Sequence, residues 1–260
     1  MYRHGPWQYF PVAFLIKSTL PLLILLAALP FLWFKREGRH VRELWFLLVP
    51  VVCYFGLVTT SHMDIGARHL MPIYPFLYAL AGAAVAQAFG RRGAWAVVAA
   101  VLLVWQAGTT VRVAPAYMAY GNEAWGGPSQ VHRYLSDANV DWGQQLNGVR
   151  AYLAENHITD CWFAYFPDGA VEPGDYGVNC KRLPTGSSLW WFQLPMQVPP
   201  VIEGTVLISD SDLEGVESGD GPLNWFEPFR GVKPVAVIEQ GVYVYPVSYT
   251  HLTLPTIYSV

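Results

Sequence analysis

Cationic and imidazole side chains beside long apolar segments are the residues of this sequence best suited to chemistry. Arg68 and His69 lie together in the run Gly66–Phe76, where an apolar segment begins, and Lys17 is the one charged residue of the first apolar run. Arginine binds phosphate through two parallel hydrogen bonds, and lysine adds a compact positive charge. We therefore predict that Arg68, His69 and Lys17 bind a phosphate group at a membrane surface.

Each of these residues also has a purely structural interpretation. A charged side chain at the centre of a bilayer costs about 2.5–3.5 kcal/mol, so such residues are usually placed near its surface or paired. Arg68 could be an interfacial anchor or the partner of Asp64, and Lys17 could reach the surface only as an anchor. For His62 and Asp64, in the same loop, a solvated position is the simpler interpretation.

A second polar group follows the last apolar segment. It contains Asn122, Glu123 and Asp141, and carboxylates and amides hydrogen-bond well to sugar hydroxyls. We predict that these three residues contact a sugar or an acceptor, and that Glu123 could act as a base. The alternative is local structure, in which Asp141 caps the N-terminus of a helix predicted over 142–156.

Three consecutive aromatic residues, Trp190, Trp191 and Phe192, lie in a connection rich in proline and glycine. Sugars stack on aromatic faces, so these residues indicate a carbohydrate contact. Burial in a core, or packing against lipid, is the alternative explanation.

Composition excludes several classes of function. A net charge of −3 gives no sign of a nucleic-acid partner. No CxxC motif or His/Cys cluster is present, so we predict no metal and no cofactor. Cys53 lies in an apolar run, whereas Cys161 and Cys180 lie in the polar part of the chain. If that part is extracytoplasmic, these two cysteines form a disulfide; the alternative is two free thiols.

Long apolar runs predict a multi-spanning α-helical membrane region over residues 1–113. About four transmembrane helices are expected, over residues 11–34, 44–60, 70–89 and 94–111. Pro21 and Pro30 are expected to kink the first of them. Lys and Arg are concentrated in the loops at 35–42 and 91–92, which places these loops in the cytoplasm and everything after Arg112 outside.

Residues 114–247 have the composition of a globular domain and predict a small extracytoplasmic α/β domain. Alternating and β-branched patterns predict strands over residues 161–166, 205–209, 235–238 and 242–245. Residues 248–260 resemble a translated sequencing adapter, so we expect a non-native tail there.

Several stretches, taken in order, resemble one family. They are Trp7–Lys17, Gly66–Pro75, Asn122–Pro128 and Ser136–Gln144. Together they are similar to bacterial membrane glycosyltransferases related to the protein O-mannosyltransferases, of the GT-C type. The resemblance extends from about Trp7 to Tyr245.

This resemblance implies an enzyme of the bacterial plasma membrane that transfers a sugar from a polyprenyl-phosphate carrier to an acceptor protein or glycan outside. The family's catalytic carboxylate lies in its first external loop, and no segment of this chain matches that loop. We therefore expect the chain to correspond to the C-terminal part of such an enzyme, with the catalytic base upstream of Met1.

Two other classes of function are open. One is a non-enzymatic, membrane-anchored protein that binds a glycan or a protein partner. The other is part of a transporter, which we disfavour because the predicted spans contain no broken polar helix pair.

Overall fold

The computed structural model describes residues 7–33, 41–61, 66–91, 93–194, 201–215 and 225–251. The chain forms two compact units that divide between Val131 and His132. We call residues up to Val131 the helical unit and the remainder the globular unit. This division lies later than the boundary predicted from composition, at residues 113 and 114, so the segment that follows residue 113 belongs with the helices.

The described part of the helical unit is built from α-helices joined by short connections. They are α1 (Tyr9–Lys17), α2 (Leu20–Trp33), α3 (Val41–Thr59), α4 (Tyr74–Arg91) and α5 (Ala94–Val113). A 3₁₀ helix, Ala67–Ile73, leads directly into α4.

Among the described residues, three helices are long and apolar enough to cross a membrane. These are α3, the 3₁₀ helix together with α4, and α5. The pair α1 and α2 also meets the criteria of length and composition, but it is bent by 108°. The fold is therefore largely helical, with three or four potential membrane spans.

The first predicted span is broken where we expected only a kink. Ser18 has extended backbone angles, with φ −84° and ψ 141°, and separates α1 from α2. In a continuous helix the nitrogen of Pro21 would face the carbonyl of Lys17, four residues earlier. Proline has no N–H to donate there, and its ring clashes with that carbonyl. Pro21 fits instead in the first turn of a new helix.

The outer faces of the helices carry apolar side chains that are exposed in the isolated chain. Val52 on α3 and Val104 and Val111 on α5 are 66%, 73% and 76% exposed. Inward-facing residues such as Leu80 and Ala84 of α4 are buried. Exposed apolar area of this kind suits a lipid environment and not water.

The globular unit combines one mixed sheet with short helices. Its strands are β1 (Cys161–Ala164), β2 (Lys181–Arg182), β3 (Val201–Ser209), β4 (Ala236–Ile238) and β5 (Val242–His251). Its described α-helices are α6 (Leu146–Glu155), α7 (Asp210–Leu213) and α8 (Glu227–Arg230).

The strand order of the sheet is β2-β1-β3-β5-β4. Strand β1 is parallel to β2 and β3, whereas β5 is antiparallel to both β3 and β4. All four predicted strands are present. Successive side chains of β3 pack on opposite faces of the sheet. Val206 and Ile208 pack in one cluster with Phe226, whereas Leu207 packs in another with Val149 of α6.

The predicted helix over 142–156 is shorter than expected. Helix α6 begins at Leu146, and Gln145 occupies the N-cap position. Asp141 is therefore not its capping residue. It accepts a hydrogen bond of 2.8 Å from the main-chain N–H of Gly143 instead.

A disulfide bond joins Cys161, the first residue of β1, to Cys180, the residue before β2. Its S–S distance is 2.09 Å. At the other side of the sheet, β5 continues to His251, which pairs with Val201 of β3. Residues 252–260 of the expected tail lie outside the described residues.

Candidate functional site

A large apolar groove lies among the helices of the helical unit. It has a volume of about 1060 Å³ and is lined by α1, α2, α3 and α4. Its lining residues are all apolar, proline or glycine, among them Phe14, Leu29, Leu48 and Leu80. A groove of this composition accommodates a hydrocarbon chain and offers no partner for a polar ligand.

The lining of the groove includes the last residue of the 3₁₀ helix that carries Arg68 and His69, and neither Arg68 nor His69 lines the groove itself. Ile73, the last residue of that 3₁₀ helix, and Pro11 of α1 both line the groove. Arg68 is exposed. His69 is half-buried, and its ring centroid lies 6.4 Å from that of Phe10, edge to face. Arg68 and His69 thus share a 3₁₀ helix with one lining residue of the groove, Ile73.

The imidazole of His69 has capacity for a ligand. Its Nε2 atom is buried and has no hydrogen-bond partner. Buried polar atoms are normally satisfied, and leaving one unpaired costs roughly 1–3 kcal/mol. A ligand oxygen or hydroxyl that reached this nitrogen would remove that cost.

Lys17 bonds main-chain carbonyls of the segment that follows α5. Its ammonium donates hydrogen bonds to the main-chain carbonyls of Met118, at 2.6 Å, and Tyr120, at 2.7 Å. The His69 ring packs against Phe10, and Phe10 lies seven residues before Lys17 in α1. This separation corresponds to about 10 Å along the helix. Two of the three donors of Lys17 thus bond main-chain carbonyls, and neither of these bonds joins Lys17 to Arg68 or His69. Phosphate binding by Lys17 stays a prediction.

Asn122 is also a structural residue and not a sugar contact. It is fully buried, and its side-chain nitrogen lies 2.5, 3.1 and 2.8 Å from the carbonyl oxygens of Leu15, Ile16 and Ser18. Its main-chain N–H also donates to Ile16 at 3.0 Å. The break between α1 and α2 leaves these carbonyls without helical partners, and Asn122 supplies them.

Two further polar contacts form at the break between α1 and α2. The Ser18 hydroxyl lies 2.9 Å from that of Tyr74, at the start of α4, and Thr19 donates to Gln106 of α5 at 2.5 Å. Together with Asn122, these contacts tie α1, α2, α4 and α5 around residues 18 and 19. We refer to Ser18, Thr19 and Asn122 with these partners as the polar hub.

The polar hub changes one argument made from the sequence. We disfavoured a transporter because we expected no broken polar helix pair, and α1 and α2 form such a pair. Transporters use the carbonyls freed at such breaks to coordinate ions. Here the carbonyls of Leu15, Ile16 and Ser18 already accept hydrogen bonds from Asn122, so these three carbonyls do not form an open ion site.

Glu123 is exposed, in contrast to its neighbour Asn122. It is the first residue of a 3₁₀ turn, Glu123–Trp125, that Asn122 caps through Oδ1 and the N–H of Ala124. The cap therefore fixes the backbone of the turn, and the Glu123 side chain is exposed on the surface of the helical unit. The proposed contact of Glu123 with a sugar or an acceptor stays a prediction.

The globular unit holds a cluster of buried acids that the sequence analysis did not foresee as a group. Asp210 and Asp212 follow directly after β3, and both are buried. Asp141 is fully buried as well, and the Ser211 hydroxyl donates to its main-chain carbonyl at 3.4 Å. The Tyr243 hydroxyl donates to Asp210 Oδ1 at 3.1 Å. We call Asp141, Asp210 and Asp212 the acidic cluster.

Burial controls the charge of this cluster. It raises the pKa of Asp141 to about 6, although hydrogen bonds from the main chain of Gly143 and Ser211 favour the charged form. Burial also raises the pKa of Asp210 well above its usual range, and the nearby charge of Asp141 adds to that effect. Asp141 and Asp210 therefore hold protons to a higher pH than exposed aspartates do.

The acidic cluster is inaccessible to a substrate, because Asp141 and Asp210 have no exposed surface. The predicted contact of Asp141 with a sugar is therefore wrong. A sequence signal for the cluster did exist: the run Ser209-Asp210-Ser211-Asp212 begins at the last residue of an apolar strand. The carboxyl end of a strand that has a parallel neighbour is a common place for polar groups to gather.

A small polar pocket lies elsewhere in the globular unit, beside β1 and β2. It has a volume of about 260 Å³ and is lined by Asp168, Glu172, Asn179 and Arg182. Arg182 is paired with Glu172, and its Nε atom lies 3.7 Å from Asp168. These groups suit a hydroxyl-rich ligand better than a strongly charged one.

Neither unit offers a metal site within the described residues. No group of three or more His, Cys, Asp or Glu side chains there has the arrangement needed to hold a metal ion. The chemistry available is therefore that of the apolar groove with Arg68 and His69, and that of the polar pocket.

We compared the chain with protein families, with curated proteins and with solved structures, and none of these comparisons found a match.

Proposed function

We propose that the chain is the donor-binding part of a membrane glycosyltransferase that uses a polyprenyl-phosphate sugar. The observation that supports this best is the apolar groove, since one of its lining residues, Ile73, ends the 3₁₀ helix that carries Arg68 and His69. A polyprenyl phosphate has the same two parts, a long hydrocarbon chain and an anionic head. The groove would hold the chain, and the 3₁₀ helix would hold the phosphate.

The reaction breaks the bond between the anomeric carbon of the sugar and the phosphate oxygen. A new bond forms from that carbon to an acceptor hydroxyl, whose proton passes to a general base. Charge accumulates on the departing phosphate, and a guanidinium stabilises it through two hydrogen bonds. We assign that task to Arg68, with His69 Nε2 as a second contact, and assign no residue of this chain as the base.

The proposal includes a location and an orientation. The spans would lie in the plasma membrane of a bacterium, with the globular unit outside the cytoplasm. The clustering of Lys and Arg at 35–42 and 91–92 supports this orientation. The Cys161–Cys180 disulfide also supports it, because disulfides persist in oxidising compartments.

Donor binding can be tested with a photoactivatable polyprenyl phosphate that carries a diazirine in its hydrocarbon chain. Arg68→Ala should weaken labelling about tenfold or more, because a charge-assisted hydrogen bond contributes roughly 1.5–3 kcal/mol. Arg68→Lys should give a smaller loss, since lysine keeps the positive charge but cannot donate two parallel hydrogen bonds as a guanidinium does. Labelling should fall on peptides of α1 and α3 that line the groove.

The matched control is Arg112→Ala, which removes an exposed arginine at the end of α5. It should bind the probe like the wild type. Equal labelling of all variants, or labelling concentrated on the outward face of α5 around Val104, would reject the proposed donor site. Turnover of a polyprenyl-phosphate sugar by the complete enzyme then tests the transfer step itself.

The alternative function is a membrane-anchored protein that binds a glycan without catalysis. The polar pocket around Asp168 and Arg182 favours it, because its volume of about 260 Å³ suits one sugar ring. This alternative requires glycan binding by the chain and no labelling by the polyprenyl phosphate probe. The same experiment therefore separates the two functions.

A further inference from the structure

Three aromatic side chains in the globular unit lie side by side and open to solvent. Trp190, Trp191 and Phe192 are 44%, 75% and 46% exposed. They belong to, or directly follow, a single π-helical turn, Ser187–Trp191. We call these three residues the aromatic loop. Contiguous exposed aromatic surface of this kind usually marks an interaction site.

Two side chains of the aromatic loop pack closely against neighbouring residues of the globular unit. The Phe192 ring packs so closely on Gly169 that a Cβ there would lie 2.7 Å from it. Trp190 packs against the buried Trp225, with ring centroids 6.3 Å apart. Trp191 has the largest exposed fraction of the three. Trp190 and Phe192 are thus packed on one side, and the exposure of the loop does not come from a lack of packing.

Several polar groups of the loop and of the residues before it are satisfied internally. The main-chain N–H of Phe192 donates to the carbonyl of Ser187 at 3.1 Å. Thr185 and Ser188 exchange hydrogen bonds through their hydroxyls and main-chain N–H groups, at 2.9 and 3.0 Å, and both are buried. The loop could therefore enter a less polar medium without leaving these groups unpaired.

The sequence around the loop is also suited to a less polar medium such as a lipid interface. Residues 183–202 include no Asp, Glu, Lys, Arg or His. Tryptophan is the residue most typical of the interface between lipid headgroups and hydrocarbon, because its ring is apolar and its N–H is polar. A surface for a charged protein partner would be expected to carry charge.

We propose that the aromatic loop inserts into the lipid interface of the membrane that holds the helical unit. The binding partner of the aromatic loop is therefore the lipid bilayer. Covalent connection to the membrane spans keeps the globular unit at a high effective concentration near the lipid, so a small apolar contact is enough. The inference rests on membrane insertion of the helical unit and is independent of glycosyl transfer.

A glycan-binding platform is the competing use of the aromatic loop. Sugar recognition needs polar side chains beside the aromatic face to bond the hydroxyls. The hydroxyls of Thr185 and Ser188 are buried and bonded to each other, and Ser187 is buried as well. Gln193, directly after Phe192, has an exposed polar side chain. The loop therefore presents a mainly apolar surface, which suits lipid better than sugar.

The test uses the full chain in lipid nanodiscs with an environment-sensitive fluorophore on a single cysteine. Cys53, the free cysteine, is replaced by alanine, and the Cys161–Cys180 disulfide is kept oxidised. The fluorophore is placed in turn at Trp191→Cys, at Val104→Cys on α5, and at Tyr176→Cys, an exposed aromatic position elsewhere in the globular unit. Nitroxide-labelled lipids serve as the quencher.

We expect nitroxide lipids to quench the fluorophore at position 191 about as strongly as at position 104, and to leave position 176 almost unquenched. Emission at position 191 should also shift to shorter wavelength than at position 176. Quenching at 104 but not at 191 would overturn the proposal. So would a response at 191 to added oligosaccharide without any quenching, which would indicate a glycan platform.

Two further outcomes are informative. If position 104 is not quenched, the helical unit is not inserted, and the proposal fails together with its premise. If position 191 is quenched but the polyprenyl phosphate probe does not label the groove, the lipid contact stands and the proposed enzymatic function fails. The two proposals can therefore be rejected separately.

Discussion

Replacing Asn122 with alanine should destabilise the helical unit by about 3–5 kcal/mol, the largest effect we expect from a single side chain there. The side-chain amide lies within hydrogen-bonding distance of the carbonyls of Leu15, Ile16 and Ser18. Each buried carbonyl left unpaired costs roughly 1–3 kcal/mol. The helix break of α1 cannot close to satisfy them, because Pro21 has no N–H to offer.

Asn122→Asp should be more damaging than Asn122→Ala. Aspartate has nearly the same shape, but its oxygens would face the carbonyl oxygens of the break and donate nothing to them. The effect can be measured as the midpoint of SDS-induced unfolding in mixed detergent micelles. Glu123→Ala is the matched control, since Glu123 is the next residue and is exposed.

We expect Glu123→Ala to unfold at the wild-type midpoint. If Asn122→Ala did the same, the carbonyls at the break would have to be satisfied by lipid or water, and the polar hub would not stabilise the fold. Under the proposed function, Asn122→Ala should lose sugar transfer only in proportion to unfolded protein, because Asn122 is fully buried.

The second large effect concerns pH and the acidic cluster. Burial raises the pKa of Asp141 to about 6, from a usual value near 3.8. Between these values the folded state binds more protons than the unfolded state, so the free energy of unfolding decreases as the pH rises. A shift of about 2 pH units corresponds to roughly 3 kcal/mol. Asp210 changes stability in the same direction.

Asp141→Asn should remove this penalty. The variant should be more stable than the wild type at about pH 7.5, by up to roughly 3 kcal/mol, and similar to it at about pH 4. Asparagine retains an oxygen to accept the hydrogen bond from Gly143. Urea unfolding of the globular unit, followed by tryptophan fluorescence at several pH values, measures the difference.

Asp175→Asn is the control for Asp141→Asn, because it makes the same chemical change at an exposed position of the globular unit. Its pH dependence should match that of the wild type. A variant at Asp141 that remained as sensitive to pH as the wild type would mean that folding does not raise the pKa of Asp141. The residual sensitivity of Asp141→Asn is expected to come from Asp210.

The linear order of apolar and polar residues determined which parts of this chain form helices and strands. Uninterrupted apolar stretches specify α3, α4 and α5, because only a helix satisfies its own backbone over that length in lipid. Short runs of β-branched and aromatic residues specify the strands of the globular unit. The external placement inferred from Lys and Arg also made a bond between Cys161 and Cys180 a reasonable expectation.

Tertiary structure decided the roles of the polar residues. Lys17, Asn122 and Asp141 all looked suited to binding phosphate or sugar, because sequence reveals the chemistry of a side chain and not its partners. In the fold, Lys17 and Asn122 bond backbone carbonyls brought to them from more than a hundred positions away. Asp141 is enclosed beside Asp210 by the packing of β3.

The break at Ser18 and the apolar groove were also decided by tertiary structure and not by local sequence. Pro21 by itself predicts only that a helix is disturbed, since a kink and a full break both avoid its missing hydrogen bond. The break became stable because Asn122 was available to bond the released carbonyls. The groove arises from how four helices pack, and the spacing of side chains at such a contact depends on long-range geometry that no local pattern records.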